Sequence, residues 1–167
     1  MLLRKQAWED RMAELTTLER RRIEAEVLIP VIRAMQEAFG EEAVNAVVAR
    51  TIRGIARAQG EEAHRETPVA TTRNLATWMG SGILAEGSLV ADVVEDTDTR
   101  YGFDIRVCQF CEMYGELDAG DLGFILSCNR DFAFMEGLAP GLEFTRTRTR
   151  MEGAETCDFR YRARNRE

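Results

Sequence analysis

Four cysteines, at positions 108, 111, 128 and 157 of 167 residues, are the side chains best suited to chemistry. Cys108-Gln109-Phe110-Cys111 is a CxxC placed where a predicted strand ends and a predicted helix begins. A thiol there meets unpaired backbone N–H groups, which stabilise a thiolate. The expectation is a lowered thiol pKa, suited to a nucleophile or a ligand. A zinc ribbon needs a second CxxC, which the sequence lacks. Cys128 and Cys157 stand alone, so a metal site requires the fold to gather them. For Cys111 the plainer reading, a small buried apolar residue, is the stronger.

Ser127-Cys128-Asn129-Arg130-Asp131 is the densest polar cluster within an apolar stretch. On a helix, Cys128 and Asp131 share a face. A carboxylate beside a thiol orients water, holds a cation or acts as a base. Helix capping by Asn129 or Asp131 is an equally good account. Arg146 and Arg160 are candidates for gripping a carboxylate at two points. They could equally pair with Asp158, Glu152 or Glu143. The single histidine, His64, reads as a capping or surface residue and excludes two- and three-histidine metal centres.

The elements that must position these residues change period halfway along the chain. From Leu18 to Phe39 the residues Ile23, Val27, Leu28, Val31, Ile32, Met35 and Phe39 form a helical stripe. Pro30 should kink or split that helix. A second helix is expected over 41–64, a charged connection over 61–68 and a third helix over 71–84. Strands follow over 88–95 and 100–107, then helices over 109–117 and 121–134. Leu142 to Met151 alternates strictly and predicts a strand. Thr156 to Arg164 alternates again, and the two should pair as a hairpin. The fold class is α+β: N-terminal helices packed on a C-terminal antiparallel sheet with a helical insertion. One domain is expected over residues 1–167, helical over 1–85, with the sheet and cysteines over 86–164. Cys157, Phe159 and Tyr161 should face the helices.

Twenty-two basic against 29 acidic residues give a net charge of −7, which disfavours nucleic acid as partner. No apolar run is long enough for a membrane span, and Met1-Leu2-Leu3-Arg4-Lys5 does not open a secretory leader. A cytoplasmic protein is expected, its cysteines reduced. An Arg-rich sheet face and an exposed helical stripe leave room for a homo-oligomer.

Leu126-Ser127-Cys128-Asn129-Arg130-Asp131-Phe132-Ala133-Phe134-Met135-Glu136-Gly137 resembles the L-2-amino-thiazoline-4-carboxylic acid hydrolase family. So do Thr145-Arg146-Thr147, Met151-Glu152-Gly153 and Cys157-Asp158-Phe159-Arg160-Tyr161, and Cys108 with Glu112, Tyr114 and Glu116. The resemblance implies a hydrolase that opens a small cyclic amidine, converting 2-aminothiazoline-4-carboxylate to an N-carbamoyl amino acid. Cys128, Asp131, Cys157 and Cys108 are then expected as catalytic residues. Arg146, Arg160, Tyr114 and Glu136 are expected at the substrate, a small molecule. No cofactor is favoured. The alternative is a binding or sensing domain in which Cys108, Cys128 and Cys157 hold zinc or an iron–sulfur cluster, without turnover.

Overall fold

The computed structural model describes residues 15–164. The N-terminal part of the expected helical region, residues 1–14, lies outside the described residues.

Thr16 opens the first helix with a capping box: its hydroxyl accepts from the Glu19 N–H, and Glu19 accepts from the Thr16 N–H. That helix, α1 (Thr17–Phe39), runs unbroken through Pro30. Gly40, at φ +88°, separates it from α2 (Glu41–Glu66). The charged connection expected over 61–68 is therefore mostly helix. Its acidic and basic residues lie on solvent-facing turns, which a helix accommodates without penalty. Next comes α3 (Thr72–Ser81).

A four-stranded antiparallel sheet has the order β1-β2-β4-β3, with β1 Leu89–Asp96, β2 Arg100–Cys108, β3 Leu142–Thr145 and β4 Cys157–Ala163. The insertion between β2 and β3 is α4 (Gln109–Glu116), α5 (Gly120–Gly123), a π turn (Phe124–Cys128) and α6 (Arg130–Leu138).

Two further expectations are corrected in the sheet and in α1. The strand predicted to reach Met151 ends at Thr145, and a short 3₁₀ turn occupies Arg150–Glu152. Asp158 explains the early end. Its carboxylate accepts from the backbone N–H groups of Thr147 and Arg148, at 2.9 and 2.8 Å, and from the Thr147 hydroxyl at 2.7 Å. Those donors are thereby withdrawn from strand pairing. The stripe on α1 also divides differently. Ala25 and Ile32 are buried, whereas Ile23, Val27, Val31, Met35 and Phe39 face solvent.

The core has two parts. Leu75, Met79, Tyr101, Ile105, Met135 and Leu138 pack α3 and α6 onto the sheet. Ala25, Ile32, Val44, Met113, Leu122 and Leu126 join α1 and α2 to the insertion. Helices α2 and α6 cross where Gly60 meets Gly137. A Cβ on Gly137 would stand 2.5 Å from the Arg57 carbonyl oxygen and 2.7 Å from the Glu61 nitrogen. His64 bolts the same crossing, with Nδ1 2.7 Å from the Leu138 carbonyl oxygen. It is a tie between helices, not the capping or surface residue expected.

Candidate functional site

A cavity of about 590 Å³ lies between the sheet, with α3 and α6 packed on it, and the first turns of α1. β2 and β4 supply its floor. Phe103 stacks on Phe159 at 5.1 Å between ring centroids, and Cys157 and Tyr161 follow on the same face. The helical insertion supplies a wall. Ser127, Arg130, Asp131 and Phe134 recur at helical steps, with Cys128 and Met135 beside them. The π turn ending at Cys128 sits where the wall begins, and such irregular turns recur at functional sites. Thr17, Arg20, Arg21 and Glu24 of α1, Gln59 of α2, and Trp78 and Met79 of α3 complete the enclosure. The segment after α3 covers the cavity near Glu86, whose carboxylate accepts from the Thr17 N–H at 2.9 Å and its hydroxyl at 3.0 Å.

Cys108, Cys128, Cys157, Asp131 and Arg146 all line this one cavity, from residues up to 49 positions apart in sequence. The Arg146 side chain is deeply enclosed, with 2% of it accessible. Its guanidinium is ion-paired to Asp131, donates to the Cys128 carbonyl oxygen at 3.2 Å, and lies over the rings of Phe132 and Phe159. All its strong interactions are with the protein, so it fixes the thiol-bearing turn to the carboxylate.

Tyr114, Glu136 and Arg160 lie outside the cavity. Tyr114 is buried in the helical core, behind the wall. Glu136 pairs with Arg57 on the surface. Arg160 points to the other face of the sheet, where it meets Asp104 at 2.7 Å and the Phe103 carbonyl oxygen at 2.9 Å. Strand alternation accounts for this last: Phe159 and Tyr161 take the cavity side, so Arg160 cannot.

The thiols are held neutral. Burial pushes Cys108 up to about 11, outweighing the backbone N–H groups of Cys111 and Phe110 that pull the other way. The lowered pKa expected for the CxxC is thereby corrected: the helix start does act on Cys108, and desolvation exceeds it. Burial raises Cys128 further. Asp131 adds to the rise and Arg146 opposes it. Cys157 is also raised by burial, against the Arg150 N–H it accepts from at 3.1 Å. Asp131 itself is raised by burial and pulled back by Arg146. Cys111 is separate, its Sγ 3.6 Å from the Arg150 carbonyl oxygen. Among the described residues, no three His, Cys, Asp or Glu side chains are arranged to hold a metal ion.

Arg130, which the sequence offers only as part of a motif, lines the cavity and donates to Gln59 Oε1 at 2.6 Å. The signal available was its spacing, three residues after Ser127 and four before Phe134.

Fold and cavity together define a class: an α+β domain with a ligand-sized enclosure between its helices and a small antiparallel sheet. The chain belongs to the L-2-amino-thiazoline-4-carboxylic acid hydrolase family, whose sequence model matches residues 20–161. Nothing among curated proteins matches it. Among solved structures it is similar to a trafficking protein particle complex subunit 3 from Naegleria fowleri covalently bound to palmitic acid. That similarity has a TM-score of 0.53 and 11% identity, covering 89% of this chain and 98% of that one. It is also similar to the phenol-responsive sensory domain of the transcription activator PoxR with phenol, with a TM-score of 0.51 and 10% identity, covering 82% and 73%. At such identity the likeness concerns the fold alone. No helix among the described residues is long and apolar enough to cross a membrane.

Proposed function

We propose that the cavity is the active site of a hydrolase that opens a small cyclic amidine of the thiazoline type. The convergence of Cys128, Asp131, Cys108 and Cys157 on one enclosure carries this reading, together with the family membership.

The chemistry starts from a neutral thiol. A bound amidine is basic and takes the Cys128 proton, which makes the thiolate and the electrophilic carbon in one step. The Cys128 sulfur then bonds to the ring carbon between sulfur and nitrogen. The ring carbon–sulfur bond breaks, and its electron pair goes to the ring sulfur, which takes the amidinium proton. Asp131 then accepts a proton from water as that water attacks the same carbon. The bond to Cys128 breaks, its sulfur recovers the proton from Asp131, and the N-carbamoyl product with a free thiol leaves. Arg146, paired to Asp131 and bonded to the Cys128 carbonyl oxygen, holds the two groups side by side throughout.

The test is incubation with 2-aminothiazoline-4-carboxylate and a thiol-detecting reagent. Wild type releases thiol in proportion to product. Cys128→Ala and Asp131→Asn, shown to be folded by circular dichroism, lose at least a hundredfold in kcat. Equal rates for wild type and Cys128→Ala would remove Cys128 from the reaction.

A second reading has one observation behind it: the lining is mostly apolar, with Trp78, Met79, Ile83, Leu84, Leu89 and Phe110 around a volume much larger than one five-membered ring. A binding domain without turnover would use such a wall. The phenol-bound sensory domain and the palmitate-bound subunit have the same fold. Binding without thiol release is its signature.

A further inference from the structure

Two ion pairs form among the charged groups around the cavity, and Arg20, Glu86 and Arg130 stand outside them. Asp131 pairs with Arg146, Glu24 pairs with Arg21 at 2.6 Å, and Glu86 is held by Thr17. Arg20 turns away to the Leu15 carbonyl oxygen at 2.8 Å. Arg130 is left, 8% exposed, with no carboxylate in ion-pair contact among the described residues. Its one protein acceptor is the neutral side chain of Gln59. Burying a guanidinium without a counter-charge is expensive, and a protein keeps one where a ligand supplies the anion. Burial and the neighbouring Arg21 push Arg130 below its ordinary value, against the opposing pull of Glu24 and Asp131, which are paired elsewhere. The same cavity is lined by Trp78, Met79, Leu84, Leu89 and Phe103. This wall can desolvate far more apolar surface than an aminothiazoline ring presents.

We propose that Arg130 is the anion anchor of the cavity, and that the ligand is a monoanionic carboxylate carrying an apolar body that lies against the Trp78–Leu89 wall. The inference deepens the hydrolase reading by naming its substrate class, and rests on that reading only for turnover. The carboxylate sits on the Arg130 fork beside Gln59, which leaves the other end of the ligand toward Leu84 and Leu89. Arg146, satisfied by Asp131, does not take this role.

Calorimetric titration with 3-phenylpropanoate and with its uncharged amide tests the anchor. Wild type is expected to bind the acid roughly tenfold or more tightly than the amide, as a charge-assisted bond should give. Arg130→Met is expected to abolish the preference while still binding the amide, which also reports an intact cavity. Should Arg130→Met fail to fold, Arg130→Gln takes its place. Arg130→Lys, which keeps the charge, retains a preference. Equal binding of acid and amide by wild type, no binding of either, or a preference that survives in Arg130→Met would overturn the anchor. Thiol release from 2-aminothiazoline-4-carboxylate is measured in parallel. An Arg130-dependent preference without release from wild type keeps the anchor and removes the hydrolase reading. Release unchanged in Arg130→Met does the reverse.

Discussion

At Cys128, burial, a neighbouring carboxylate and a neighbouring guanidinium compete, and the first two win. A thiol with a value of about 11, like Cys108, is about one part in a thousand thiolate at pH 8. Cys128 has less still. The free protein is therefore expected to resist iodoacetamide at Cys108, Cys128 and Cys157 at pH 8, while the same residues react quickly after denaturation. Peptide mass spectrometry reads each site. Asp131→Asn removes the like charge and frees Arg146 to act on the thiol, so Cys128 should then be alkylated several-fold faster. Rapid alkylation of Cys128 in wild type would show that desolvation does not govern it. The cysteines were visible in the sequence because the chain has only four, and Asp131 because it stands one helical step from Cys128 among 29 carboxylates. Their ionisation was not. The CxxC position signals the helix start, whereas burial, which outweighs it, exists only once the sheet and helices close around the site.

At the scale of elements, periodicity located the helices and strands well, and it failed where side chains redirect backbone. The Thr/Arg alternation from 145 to 150 is real, but Asp158 captures the backbone N–H groups of Thr147 and Arg148 and ends β3 early. That capture depends on a residue in another strand, invisible to a local pattern. Gly60 presents a similar case. Within a helix it reads as a weak turn, yet with Gly137 it lets α2 and α6 approach at backbone distance. Gly137→Ala is expected to destabilise by about 1–3 kcal/mol through overpacking, lowering the melting temperature by several degrees. Because α6 carries Arg130 and Asp131, the same substitution should weaken ligand binding without touching the cavity. A calorimetric melt beside a binding titration checks both. An unchanged melt would mean that the crossing yields more easily than its contacts indicate.

For the molecule as a whole, the α+β class was readable from the switch of period near residue 86, but the inward face of α1 was not. Both of its sides carry apolar residues, and packing against α2 and the helical insertion selects Ala25 and Ile32 over Val27 and Val31. Enclosing three neutral thiols has a consequence for global stability. The folded protein holds the Cys108 proton to about 11, whereas the unfolded chain loses it near 9.0. A group raised in this way contributes stability that is complete below the unfolded value and is lost as pH rises through the folded one. For Cys108 the contribution is on the order of 2 kcal/mol, and Cys128, Cys157 and the buried Tyr161 act in the same direction. Urea unfolding at pH 8, 9.5 and 10.5 should therefore show stability falling steeply above pH 9. Cys108→Ala should flatten the slope. Constant stability across that range, or an unaltered slope in the variant, would mean that the thiols reach solvent in the folded state and are not held protonated by the enclosure.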